Sequence, residues 1–295
     1  EFGVQVENFK KVLRHYNIEK GDSVALISNN REEWAVIYYA CMHIGARIVP
    51  MYEAQSESDW RYIVENSEAK MVVSATDSIF EKTKGYANTV GQVHSTLCIE
   101  SDAQYMHSYS RWMSMVESEP EIPRVQLQPT DVATIIYTSG TTGNPKGVLL
   151  SHHNLISNLY GTKDMWQHEL NKENVSLAFL PWAHVFGQTA ELHSCMAAGS
   201  SMGIVNDRDT LLSSLQLVKP SVLISVPALF NRIYDGIHAK VSKQSPLKQK
   251  IFHAALTCKR KVNHKLEFGE TPGPLDSFLA GLADKVVFSK LRAAL

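Results

Sequence analysis

Tyr137-Thr138-Ser139-Gly140-Thr141-Thr142-Gly143-Asn144-Pro145-Lys146-Gly147 lies between two apolar runs, Val132 to Ile136 before it and Val148 to Leu150 after it. Short apolar runs bounded by turn residues read as buried strands, so the sequence predicts a loop joining two strands. Gly140, Gly143 and Gly147 permit positive φ and let the backbone approach a ligand closely. Thr138, Ser139, Thr141 and Thr142 supply hydroxyls, the free amides of such a loop can form an anion-binding nest, and Lys146 adds a fixed positive charge. The combination suits a polyphosphate. A hydroxyl-rich surface loop is the plain alternative, and the length and order of the motif weigh against it. A Walker A loop is a poor fit, because there a Gly-Lys-Ser/Thr run opens a helix, whereas here Lys146 precedes Gly147 and a strand follows.

Upstream of the loop, helical and strand patterns alternate. Phe9, Val12, Leu13 and Tyr16 have helical spacing, and Gly21-Asp22 turns the chain into a strand from Ser23 to Ser28. Asn30 and Glu33 have the spacing of a helix cap, ahead of a helical face bearing Trp34, Ile37, Tyr38, Cys41 and Ile44 and ending at Gly45. A strand from Arg47 to Tyr52, a helix from Ser58 to Asn66, a strand from Lys70 to Ser74, a helix from Ile79 to Val90 and a strand from Val93 to Ile99 follow. Such alternation implies an α/β fold with largely parallel sheets layered with helices. Residues 100–130, with a short helix around Trp112 and three prolines from Glu117 to Pro129, read as a connection.

Downstream, Ser151 is placed to cap a helix from His152 to Trp166. A strand from Val175 to Phe179 leads into Leu180-Pro181-Trp182-Ala183-His184, and a helix runs on to Ala198. Further expectations are a strand from Met202 to Val205, a helix capped by Asp209, a strand from Val222 to Val226 and a helix opened by Pro227. The remainder reads as helical. His152 and His153 are adjacent, so on a helix they diverge by about 100° and do not share one metal ion comfortably.

The 295 residues, 44% of them hydrophobic, can bury a large core, and 29 basic against 30 acidic residues give no reason to expect nucleic acid. Cys41, Cys98, Cys195 and Cys258 are scattered, which favours a reducing compartment over a disulfide framework or zinc site. No apolar run is long enough to span a membrane and no signal peptide opens the chain. The chain opens on Glu1 and closes on Leu295 within a helical pattern, so both ends read as cut. From residue 240 to 265 the charges are all basic, including Lys240, Lys243, Lys248, Lys250, Lys259, Arg260, Lys261 and Lys265. A solvated helix face is one reading, and peripheral contact with an anionic membrane is the sharper one.

The loop at 137–147 resembles the phosphate-binding signature of the adenylate-forming (AMP-binding) enzymes, a family that includes the acyl-CoA synthetases. Leu180 to His184 resembles the family's L-P-x-x-H segment, and Asp22 to Tyr52, Leu217 to Gly236 and Asp284 to Leu295 resemble long-chain acyl-CoA synthetases in particular. The resemblance implies the incomplete N-terminal domain of the adenylate-forming fold over 1–295, with the C-terminal domain that carries a catalytic lysine absent. It implies ATP-dependent conversion of a fatty acid to acyl-AMP and then, with coenzyme A, to acyl-CoA. It assigns Thr138 to Mg²⁺ and to ATP. Ser139, Gly140, Thr141, Thr142, Gly143 and Lys146 would grip the phosphates. His184 would take a catalytic place near the acyl and nucleotide sites, and Trp182 would stand at the acyl tunnel. An intracellular setting is implied, cytoplasmic or peripheral on an organelle membrane, with little or no turnover by residues 1–295 alone. The rival functions are an acyl-AMP synthetase loading a carrier protein, and a non-catalytic nucleotide-binding or regulatory product.

Overall fold

Val24 and Leu26 point into one apolar cluster while Ala25 and Ile27 point into another, and all four are fully buried. This period of two, with neither face in water, marks a strand covered on both sides. The computed structural model describes residues 1–138, 143–166, 170–207 and 210–294. They form two compact units, Glu1–Leu211 with Pro220–Ile224, and Leu212–Lys219 with Ser225–Leu295.

In chain order the first unit runs α1 (Phe2–His15), β1 (Ser23–Ile27), α2 (Glu32–Ile44), β2 (Arg47–Met51), α3 (Glu57–Asn66), β3 (Ala69–Ser74), α4 (Asp77–Thr83), α5 (Tyr86–Thr89), β4 (Ser95–Cys98) and α6 (Tyr109–Met115). It continues with β5 (Val132–Thr138), β6 (Lys146–Ser151), α7 (His152–Trp166), β7 (Val175–Ala178), a π-helical segment Gly187–His193, α8 (Ser194–Ala198) and β8 (Ser201–Ile204). The larger sheet has six strands in the order β4-β3-β1-β2-β5-β6. Its pairings are parallel except β5 with β6, which are antiparallel neighbours. Strands β7 and β8 form a second, parallel pair. Phe9, Leu13, Trp34, Ile37 and Tyr38 pack the first face of the large sheet, and Trp60, Ile63, Ile79 and Tyr86 pack the second. The expected α/β fold with largely parallel sheets is the one observed.

Three expectations need correction. The Asn30/Glu33 pair is no cap: α2 starts after Arg31, which makes no side-chain cap bond, and Glu33 pairs with Arg31 at 3.0 Å instead. The helix expected from Ile79 to Val90 breaks into α4 and α5 around Gly85, a poor helix former. The strand expected from Val222 to Val226 contributes only a single bridge, Val222 to Ser176. The proposed cap Asp209 lies outside the described residues.

The second unit is helical: α9 (Leu211–Val218, whose first residue belongs to the first unit), α10 (Pro227–Ser242), α11 (Pro246–Glu267), α12 (Pro274–Ala283), a π-helical segment Asp284–Phe288 and α13 (Ser289–Ala294). Part of the basic run is neutralised within this unit. Lys261 and Lys265 pair with Asp276 at 2.9 and 3.0 Å, and Lys259 with Asp284 at 3.7 Å. Among the described residues no helix is long and apolar enough to cross a membrane.

Candidate active site

Strand β5 runs parallel to β2, so its carboxyl end lies on the same edge of the sheet as the carboxyl ends of β1 and β2. That edge is where open α/β sheets bind ligands. Thr138 ends β5, Lys146 begins β6, and the two are cross-strand partners with exposed side chains. The hairpin therefore brings the ends of the glycine-rich loop together at the ligand-binding edge. Ser139, Gly140, Thr141 and Thr142 lie outside the described residues. Gly143 has φ of 117°, which side-chain-bearing residues rarely adopt.

Tyr137 anchors the base of the loop. Its hydroxyl donates to Asn66 Oδ1 at 2.7 Å, and burial pushes the phenol up to about 12. The ring lies over Gly147, where a Cβ would stand 3.0 Å from both Tyr137 Cζ and Ile135 Cγ2. Close packing thus accounts for the last glycine of the motif.

The turn after β7 is held by bonds from three directions. Asn30 Nδ2 donates to Leu180 O at 2.8 Å, and the Trp182 amide donates to Asn30 Oδ1 at 2.8 Å. The Trp182 ring is 1% exposed, meets Trp34 edge-on at 5.4 Å and donates its Nε1–H to Glu191 Oε2 at 3.1 Å. The His184 amide donates to Pro181 O at 3.0 Å. The His184 side chain itself is exposed, with Nδ1 accepting from the Phe186 amide at 3.1 Å. Trp182 is thus a core residue beneath the turn, and His184 stands on the turn facing out.

The helix expected after the turn starts as the π-helical segment Gly187–His193, whose residues are all buried. Such segments are rare and occur often at functional sites. This one puts Gln188, Glu191 and His193 in the core. Tyr39 Oη and His193 Nδ1 are 2.8 Å apart, and burial holds the His193 imidazole down to about 4, so it is neutral near pH 7. Burial also lifts the Glu191 carboxyl to about 8, against which the Trp182 Nε1–H and the nearby Phe179 and Leu180 amides act only partly.

That carboxyl should write itself into the stability curve. The folded chain keeps the Glu191 proton up to about pH 8, while an unfolded glutamate loses it near 4.5. Its contribution is fully present below the unfolded value and is lost as pH rises through the folded one, by up to about 1.4 kcal/mol per pH unit. Glu191→Gln keeps the shape and an acceptor for Trp182, and should gain on the parent chain from pH 5 to pH 8. Urea denaturation across that range reads the difference, and parallel curves for the two chains would sink the assignment.

A cleft of about 500 Å³ opens at the carboxyl ends of β1, β2, β7 and β8, lined by Asn29, Asn30, Tyr52, Phe179, Pro181 and Asp207 among others. Residues Asn30, Gly187 and Glu191 are not evident from the sequence. Asn30 resembles a cap, Glu191 sits in an ordinary helical pattern, and nothing local announces a π-helical turn.

The AMP-binding enzyme family matches residues 1–279. The chain belongs to the AMP-binding enzyme family. Long chain acyl-CoA synthetase 3 of Arabidopsis thaliana is 30% identical over 299 residues, an alignment covering 96% of this chain and 44% of that protein. A long-chain-fatty-acid–CoA ligase of Mycobacterium bovis is 31% identical over 280 residues, covering 94% and 46%. The AMP-binding chain thus spans less than half the length of these relatives. Among solved structures, ATP-bound MatB from Rhodopseudomonas palustris superposes with a TM-score of 0.65 and 27% identity, over 79% of this chain and 44% of that one.

Proposed function

We propose that this chain supplies the ATP-binding part of a long-chain fatty acid–CoA ligase. The observation that carries the reading is the β5–β6 hairpin, which sets Thr138 opposite Lys146 at the carboxyl edge of a parallel sheet. The family match and the ligase names of the two relatives support it. We read both units as parts of one AMP-binding large domain over 1–295.

In the proposed reaction a fatty-acid carboxylate oxygen attacks the α-phosphorus of ATP and pyrophosphate leaves. The thiol sulfur of coenzyme A then attacks the acyl carbonyl, losing its proton, and AMP leaves. Both steps need charge on phosphate oxygens to be balanced by fixed groups. Lys146 and the loop from Thr138 to Gly143 would supply that around the β- and γ-phosphates. Mg²⁺, when bound, draws further charge from those oxygens, and Thr138, an exposed hydroxyl, is an oxygen ligand of the kind it takes. His184 would orient the acyl carboxylate, with Trp182 as a fixed wall beneath the turn.

Lys146→Ala tests the reading. A charge-assisted bond of about 1.5–3 kcal/mol corresponds to about 10–100-fold weaker ATP binding. Titration calorimetry of ATP into the two chains reads this, and equal affinities would remove Lys146 from the site. Residues 1–295 alone are expected to bind ATP with little or no turnover. Fatty-acid-dependent acyl-CoA formation by that chain would overturn this part.

Peripheral membrane contact through 240–265, on an intracellular membrane, is a further part of the proposal. It rests on Lys240, Lys243, Lys248 and Lys250, each adding about 1 kcal/mol near an anionic surface. Vesicles containing phosphatidylserine should carry the chain in flotation at low salt and release it at high salt. Flotation that persists after these four lysines are changed to glutamine would count against the contact.

A further inference from the structure

Asn30 and His184 are far apart in sequence and meet through the turn after β7. Asn30 is 5% exposed, and both ends of its side-chain amide engage that turn, Nδ2 donating to Leu180 O and Oδ1 accepting from the Trp182 amide, each at 2.8 Å. A side-chain amide used in this way pairs with one carbonyl and one N–H of the turn, as a neighbouring strand would. From below, Trp182 is tied to Glu191 at 3.1 Å, so the middle of the turn is fixed on two sides. The remaining main-chain groups close locally, His184 N to Pro181 O and Gln188 N to His184 O, both at 3.0 Å.

On this frame the Phe186 amide reaches His184 Nδ1 at 3.1 Å. A backbone N–H can only donate, so Nδ1 must accept. In the neutral imidazole the proton then sits on Nε2, the ring nitrogen the Phe186 amide does not use. His184 is in this way preset to offer a hydrogen-bond donor.

We propose that Asn30 is a positioning residue for His184, clamping the 180–184 turn so that the imidazole presents Nε2–H to an oxygen of the bound acyl carboxylate or acyl phosphate. The inference rests on the proposed ligase reading for the identity of the ligand. The tautomer and its dependence on Asn30 can be measured without any turnover. The function of the clamp differs from simple support of the fold. A structural residue moves the unfolding midpoint, whereas a positioning residue also moves the protonation pattern of one ring.

The test is long-range ¹H–¹⁵N correlation spectroscopy of the histidines in the whole chain, with His184 assigned by the loss of its signals in His184→Phe. The parent chain is expected to show His184 as the Nε2–H form. Asn30→Ala and the milder Asn30→Asp, which cannot donate to Leu180 O, are expected to show a mixture of both forms. Lauroyl-sulfamoyl adenosine, a stable acyl-adenylate mimic, should bind about tenfold more weakly to His184→Phe and to the Asn30 variants. An Nδ1–H form in the parent chain overturns the proposal even if Asn30→Ala fails to fold. So does an unshifted tautomer in a folded Asn30 variant. Absence of binding by both ATP and the mimic, with the tautomer shift present, would instead sink the ligase reading and leave the clamp standing.

Discussion

Trp182→Ala is expected to destabilise the first unit by about 3–5 kcal/mol, the range for deleting a large buried aromatic. The ring is 1% exposed and meets Trp34 edge-on at 5.4 Å, so truncation leaves a cavity between α2 and the π-helical segment. It also strips Glu191 Oε2 of the indole donor at 3.1 Å, and a buried acceptor left unpaired costs about 1–3 kcal/mol. Trp182→Phe keeps one aromatic ring and loses the N–H with part of the indole volume, so it removes the hydrogen bond while leaving a smaller cavity than alanine does. The order expected in urea denaturation is parent, then Phe, then Ala. A Trp182→Ala chain as stable as the parent would show that the ring is peripheral to the core.

Gly187→Ala is the second large effect, and its sign is decided by competing magnitudes. Alanine is favoured over glycine inside a helix by about 1 kcal/mol, and on that basis alone the change would stabilise. But a Cβ at Gly187 would stand 2.3 Å from Pro181 O and 2.8 Å from Pro181 C. Both are backbone atoms, so no rotamer change relieves the clash. Overpacking of this kind costs about 1–3 kcal/mol, and here the strain falls on the turn that carries His184. The expected outcome is a lower unfolding midpoint together with weaker binding of an acyl-adenylate mimic. A raised midpoint with unchanged binding would mean that the turn shifts freely.

These two residues also show where sequence reading stops. The strand–loop–strand arrangement at 132–150 was legible because an apolar run, a block of turn residues and a second apolar run form a local pattern. Gly45 after the helix from Glu32 was legible for the same reason, and it does take the left-handed φ of 76°. Asn30 was misread because a cap and a long-range clamp use the same side chain, and only the fold brings residues 180–182 to it. Glu191 was passed over because helical periodicity carries no sign of a π-helical turn, which rotates a polar side chain into the core. What is local in cause was visible, and what depends on two distant segments meeting was not.

The two halves of the site differ in how they are tied to the chain. Thr138 and Lys146 are cross-strand partners joined by a short loop, whereas Asn30 and Leu180 are 150 residues apart. Loop-closure entropy grows with the logarithm of loop length, so the distant link costs about 2.5 kcal/mol more to close than the hairpin. The hairpin closes between neighbouring strands and needs the large sheet beside it, through β2 and the Tyr137–Asn66 bond, while the His184 turn keeps its geometry only while both sheets stay assembled. Under mild destabilisation the β5–β6 hairpin would therefore outlast the 180–184 turn, and on the proposed ligase reading nucleotide binding would outlast placement of the acyl group.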